Sequence, residues 1–297
     1  MTHRPATCEA YPSVRESLNE LLQTVETVRV TVPHEGVAHV ELNRPTKLNA
    51  FNHQMWADVG ACFRALHSNA DVRCIVLSGG DAKGFTAGLD LFDVAASFGG
   101  LKDMDPARAG FAFLEIARPL QESLSSIEKC RIPVIAAVHG ACIGAGIDAI
   151  TACDVRICSS DAYFSVREVD VGLAADVGTL QRLPKVCGNQ SWVHDVCLTA
   201  RNFSAKEAYE NQLVSQVVDG GRDAVLLVAF EKARLIASKS PVAVAGTKNV
   251  LKYSRDHSVE EGLEYVRVWN AFAINSEDMM KAASASMQKK AAKFSKL

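Results

Sequence analysis

The chain has 297 residues, 48% hydrophobic and 22% charged, with a formal net charge of −2. A chain of this length buries roughly 75% of its unfolded surface, so it needs no staples, and the composition excludes a disordered polypeptide. Near-balanced charge gives no pull toward nucleic acid or an anionic membrane, and no apolar run reaches the roughly 18–20 residues of a spanning helix.

In chain order, residues 1–25 read as a polar extension with one short helix. Its Glu9, Glu16 and Glu20 do not fit a transit peptide. Two strand-like runs follow, 28–32 and 37–42, with His34–Gly36 as the turn. Helical spacing runs from Asn49 to His67. Val72–Leu77 reads as a buried strand that ends at Gly79-Gly80, and Pro106 to about Ser126 is helical. Val134–Val138 is a short apolar strand ending at His139-Gly140, and an apolar helical stretch covers Ile147–Ala152. Val155–Cys158 and Ala162–Val166 complete the strands. Beyond about residue 190 nearly everything reads as helix, near 190–199, 204–212, 222–239, 241–255, 258–274 and 276–291. Strands alternating with helices predict an α/β core, followed by a helical last third of the kind that packs on a neighbouring subunit.

Nine cysteines, an odd number with no C-x-x-C pair, read as reduced, mostly buried thiols. The chain ends in Ser295-Lys296-Leu297, and a terminal S-K-L is a receptor-read peroxisomal address. Lys289, Lys290 and Lys293 beside it read as a solvated helix end.

Three stretches carry chemistry. Gly140 to Asp148 contains Gly144-Ala145-Gly146 between a strand and a helix. Small residues there let a ligand approach backbone N–H groups at a helix start, which suits an oxyanion; a tight packing turn explains the spacing as well. Neither G-x-G-x-x-G nor a P-loop lysine is present. Lys83 to Leu91 is a second glycine-containing turn after a strand. Val166 to Gly178 places Glu168, Asp170 and Asp176 among apolar residues. Carboxyls sharing an apolar pocket cannot all ionise easily, which supplies an acid and a base together near neutral pH. Surface acids paired with Arg156, Arg167 or Arg182 are the alternative.

Over about residues 26–290 the chain resembles the crotonase (enoyl-CoA hydratase/isomerase) superfamily. The residues that carry the resemblance are Arg44-Pro-Thr-Lys47-Leu48-Asn49-Ala50, Gly84-Phe-Thr-Ala87-Gly88-Leu89-Asp90, His139-Gly140 with Gly144-Ala145-Gly146 and Asp148, and Asp154 after Ala152-Cys153. Within it the chain is most similar to the dienoyl-CoA isomerases, through Arg167-Glu168 to Asp176 and on to Pro184, Ser238 to Val244, and Tyr253 to Val259.

The resemblance implies an α/β fold with a crotonase-like β-β-α spiral core over 26–200. After it would come a helical C-terminal trimerisation region over 201–297. It implies backbone N–H groups of Leu89 and Ala145 as an oxyanion hole. Asp148, Glu168 and Asp176 become the acidic set, with Glu168 taking a C2 proton, Asp176 delivering one at C6, and Asp148 orienting water or biasing the other two. Arg44, Lys47, Leu48, Ala50, Ala87, Gly88, Asp90 and Gly144 would form the substrate and CoA surface. Relatives often carry glycine where this chain has Ala145; the backbone donor is kept. The implied substrate is an acyl-CoA thioester, with no further cofactor, no metal, no nucleic acid and no membrane. A homotrimer or hexamer is implied, with an import receptor reading the terminal tripeptide, hence a peroxisome or glycosome, and mitochondria stay open as a second destination. Rival activities are an enoyl-CoA hydratase using Asp148 and Glu168, a 3,2-enoyl-CoA isomerase, and an RNA-binding member of the fold, against which the balanced charge speaks.

Overall fold

The computed structural model describes residues 24–93 and 99–297, so nearly all of the expected N-terminal extension lies outside the described residues. The first two strands form the expected hairpin: β1 (Val28–His34) and β2 (Val37–Leu42) pair antiparallel, with Val30 opposite Val40. β3 (Cys74–Ser78) and β4 (Val134–Val138) add in parallel, β5 (Ala141–Ile143) leaves this sheet, and β6 (Val155–Ser159) returns to it beside β4. β7 (Tyr163–Ser165) and β8 (Phe203–Ser204) join β5 in a small second sheet. β9 (Gln216–Val218) closes the main sheet, whose order is β1-β2-β3-β4-β6-β9.

The helices are α1 (His53–Ser68), α2 (Pro106–Lys129), α3 (Ala145–Thr151), α4 (Thr179–Val186) and α5 (Gln190–Thr199). After them come α6 (Ala205–Glu210), α7 (Arg222–Ala237), α8 (Pro241–Ser254), α9 (Val259–Ala273) and α10 (Asp278–Met287).

The continuous apolar runs of β3 and β4 follow from burial on both faces. Ile75, Leu77, Val134 and Ala136 face Phe63, Leu66, Leu124 and Ile127 of α1 and α2. Cys74, Val76, Ile135 and Ala137 face Val225, Leu226, Ala229 and Ala233 of α7. Period-two alternation therefore splits one apolar run between two helical layers.

Three differences from the sequence expectations have local causes. The first helix starts at His53, not Asn49, because Leu48 and Asn49 adopt left-handed φ values of 48° and 54°. Asn52 then caps the helix by accepting from Met55 N–H at 3.0 Å. The helix α4 is additional, opening at Gly178. The chain after residue 200 is not all helical: β8 and β9 are strands, β9 pairs with β6, and α7 belongs to the core. β9 and α7 pack with the main sheet, and α8 is tied to it by Lys248, whose Nζ donates to Ile132 O at 3.0 Å and pairs with Asp154.

Seven described cysteines, Cys62, Cys74, Cys130, Cys142, Cys153, Cys158 and Cys187, are buried and free, and Cys197 is half-buried and free. Among the described residues no helix is long and apolar enough to cross a membrane. The C-terminal tail lies against the body, where Arg73 Nη2 donates to Phe294 O at 2.7 Å and Lys296 pairs with Asp71.

Candidate active site

The two glycine-containing turns are joined by backbone pairing. Thr86 bridges Cys142 in parallel: Thr86 N–H donates to Ala141 O at 2.9 Å and Ile143 N–H to Thr86 O at 3.1 Å. On its other side the first turn is held by Phe51 N–H donating to Gly88 O at 2.7 Å and Ala87 N–H to Leu48 O at 2.9 Å. Asn49, fully buried, completes the clamp by donating to Gly79 O at 2.8 Å and Phe85 O at 3.0 Å. Gly88 has φ +90°, and a Cβ there would meet Ile143 O at 2.9 Å, so the close approach of the two turns requires glycine.

Leu89 and Ala145 follow these glycines, and neither backbone N–H donates to any group among the described residues. Ala145 is the first residue of α3, where a backbone N–H has no intrahelical acceptor. Both residues line a cavity of about 460 Å³. Its apolar wall comes from Trp56 of α1 and from Phe113, Ile116, Ala117 and Leu120 of α2, with Val171, Leu173 and Val177 opposite. The stripe on α2 recurs at three- and four-residue steps, which in sequence marks an amphipathic helix and not a cavity wall.

Of the expected carboxylates, Glu168 and Asp176 line this cavity and Asp148 does not. Glu168 stands beside the Gly144 turn: a Cβ placed on Gly144 would lie 3.4 Å from Glu168 Oε1. Its Oε2 is buried without a hydrogen-bond partner. Burial pushes the Glu168 carboxyl up, and the nearby Asp176 charge adds to it. Burial likewise raises Asp176, whose backbone O accepts from Gln121 Nε2 at 2.7 Å and so ties the loop to α2. Asp170, the third acid of that segment, is exposed and pairs with Arg167 at 3.0 Å. The ion-pair alternative therefore applies to Asp170 and not to Glu168 or Asp176.

Asp148 is fully buried one helical turn behind Ala145. Its Oδ1 accepts from Thr179 N–H, its Oδ2 has no partner, and burial together with the Glu168 charge pushes it from 3.8 to about 7. Sequence inspection missed Thr179 and Gln121, because neither residue type announces a role and both contacts cross between distant segments.

The expected CoA surface divides. Ala87, Gly88 and Gly144 line the cavity; Arg44, Lys47, Leu48, Ala50 and Asp90 do not. Arg44 turns inward, donating to Ala50 O and pairing with Asp90 at 3.0 Å. That pairing holds the Asp90 carboxyl below its usual range. Lys47 and Leu48 are exposed, and Leu48 O accepts from Ala87 N–H.

The enoyl-CoA hydratase/isomerase family profile matches residues 33–296. A human protein named mitochondrial delta(3,5)-delta(2,4)-dienoyl-CoA isomerase is 50% identical over 275 residues, covering 92% of this chain and 83% of that one. A peroxisomal relative of that name from Arabidopsis thaliana is 42% identical, covering 94% of this chain and 99% of that one. Among solved structures, an enoyl-CoA hydratase from Bacillus anthracis superposes with a TM-score of 0.81 at 25% identity, covering 91% of this chain and 99% of that one.

The raised Asp148 has a stability consequence. A carboxyl whose folded pKa exceeds its unfolded one favours folding only while protonated. Its contribution is full below about 3.8 and is lost as pH rises through about 7. Asp148→Asn keeps the acceptor for Thr179 and removes the titration. Relative to the parent chain it gains on the order of 4 kcal/mol between about pH 4 and pH 8, read from urea unfolding at each pH. A difference that does not change with pH contradicts a buried, titrating Asp148.

Proposed function

The chain belongs to the enoyl-CoA hydratase/isomerase family, and from that premise we propose that it converts 3,5-dienoyl-CoA to 2,4-dienoyl-CoA. The observation that carries this choice is Asp176. A hydratase can work with Asp148 and Glu168 on water; moving a proton from C2 to C6 calls for two separated groups along one acyl chain. Glu168 and Asp176 both open onto the same apolar cavity, which supports that division.

The thioester oxygen is held by the N–H groups of Leu89 and Ala145, each worth about 3 kcal/mol once charge develops there. Glu168, made more basic by burial, removes a C2 proton. The electron pair spreads from the thioester oxygen through C2, C4 and C6. Asp176, whose carboxyl burial pushes up, gives a proton to C6. Double bonds then lie at C2 and C4, Glu168 is protonated and Asp176 ionised, and proton exchange between them resets the site. Asp148 lies outside the cavity and acts through its charge: while neutral it lets Glu168 ionise. The exposed Lys47 and Leu48, beside the cavity-lining Ala87 and Gly88, are assigned to the CoA moiety, and Arg44 with Asp90 to shaping that turn. Every step moves a proton between groups of the chain and its thioester substrate.

The homotrimer or hexamer is supported by apolar side chains left uncovered on α8–α10: Leu251 is 68% exposed, Leu263 64%, Phe272 80% and Met280 69%. Peroxisomal import rests on Ser295-Lys296-Leu297 and on the peroxisomal Arabidopsis relative; relatives named mitochondrial keep the second destination open.

Asp176→Asn is expected to lower kcat on 3,5-dienoyl-CoA by roughly 10²–10⁴ with little change in KM, followed by the absorbance of the conjugated product. Full activity in that variant, or faster hydration of crotonyl-CoA than dienoyl isomerisation by the parent chain, returns the choice to a hydratase. Deleting Ser295–Leu297 from a fluorescent fusion should disperse a punctate peroxisomal signal; puncta that persist refute the tripeptide as the address. In sedimentation at micromolar concentration the protein should run as three or six copies, and a monomer there rejects the assembly.

A further inference from the structure

One buried cation has no place in the scheme above. Arg182 of α4 is 7% exposed, among side chains that otherwise surround the acids with apolar or acidic groups. Its guanidinium is clamped from α2: Nη2 donates to Ser125 Oγ at 2.9 Å, and Nε to Glu128 Oε2 at 3.3 Å. Glu128 is itself held by Arg255, which follows α8, at 2.7 Å. The remaining nitrogen, Nη1, is buried with no acceptor.

That nitrogen is packed on the turn that grips Asp148. A Cβ on Gly178 would lie 1.8 Å from Arg182 Nη1, so the guanidinium occupies the space a side chain would take. Gly178, with φ +139°, is also the acceptor for Arg182 N–H at 3.0 Å. The next residue, Thr179, donates its backbone N–H to Asp148 Oδ1. The spare N–H of the cation and the spare oxygen of the carboxyl, Asp148 Oδ2, are both buried and unpaired on the two sides of this turn. They form no direct ion pair. Around Asp148 the other titratable groups are Glu168, Cys142 of β5 and Cys197 of α5, none of which brings positive charge. Arg167 lines the cavity, but its guanidinium is turned to Asp170 and Asn202.

We propose that Arg182 is a positioning residue for the acidic site: clamped by Glu128, it seats the Gly178–Thr179 turn on Asp148 and supplies the buried positive charge that offsets the carboxylates. It rests on the isomerase assignment only for its catalytic consequence. The charge acts across a low-dielectric layer, where a cation a few ångströms beyond contact still favours the ionised carboxyl. Glu128 partly neutralises it, so the field at Asp148 is set by the Arg255–Glu128–Arg182 chain. That chain also links the ends of α2 and α8 to the site.

The test uses the full-length protein and two substitutions of opposite sign. The Asp148 carboxyl is titrated by isotope-edited infrared spectroscopy, its protonated band identified by loss in Asp148→Asn. In Arg182→Gln the midpoint should rise by about one pH unit or more, and in Arg182→Lys it should stay near the parent value. In Glu128→Gln, which leaves Arg182 with less neutralisation, it should fall. The acid limb of kcat against pH for 3,5-dienoyl-CoA should move in the same directions, with KM changed less than threefold. A purely structural role predicts lost stability without opposed shifts. If Arg182→Gln does not fold, Glu128→Gln decides alone: an unmoved band overturns the proposal. Absence of dienoyl turnover in the parent chain would remove the isomerase assignment and leave the infrared outcome interpretable by itself.

Discussion

The short parallel bridge between Thr86 and Cys142 is the constraint on which the site depends. Two backbone hydrogen bonds, at 2.9 and 3.1 Å, fix the turn after β3 against the turn after β4. Gly88 and Gly144 then touch without side chains, and the residues after them, whose backbone N–H groups have no acceptor among the described residues, line one cavity. The parallel sheet makes this possible: adjacent parallel strands end on the same side, so their following turns meet there. Asn49 closes the arrangement from the hairpin side, its fully buried amide donating to Gly79 O and Phe85 O.

Around that junction the protein keeps carboxyls where burial opposes their ionisation. Asp148 is held by one backbone donor, and Glu168 Oε2 and Asp148 Oδ2 are left without partners. Unsatisfied buried oxygens destabilise the fold, by about 1–3 kcal/mol each. The apolar layers of α1, α2 and α7 against the main sheet offset this, since they bury both faces of β3 and β4. The same environment raises the Glu168 and Asp176 carboxyls above their ordinary values, because burial disfavours the charged form. Burial thus opposes both stability and ionisation at the same atoms.

Much of the architecture was legible in the chain itself. β3 and β4 show continuous apolar runs because both faces are covered, and α8–α10 show helical spacing bounded by caps such as Ser258 with Glu261. The segments that escaped notice are short. β5, β8 and β9 have three, two and three residues, too few to display a period, and they exist because a neighbouring strand offers them hydrogen bonds. The helix α4 begins at a glycine with φ +139° and carries Pro184, so its pattern reads as a break.

By itself the sequence determined the class of fold, the order of the turns, the family and the acids that could matter, because periodicity, small residues and charge are local properties. Only the tertiary structure separated Asp170, exposed and paired with Arg167, from Asp176, which opens onto the cavity. Only the tertiary structure set Asp148 behind the cavity wall and turned Arg44 onto Asp90. Those distinctions depend on burial and on partners far away in the chain, and both are fixed by how the helices pack on the sheet.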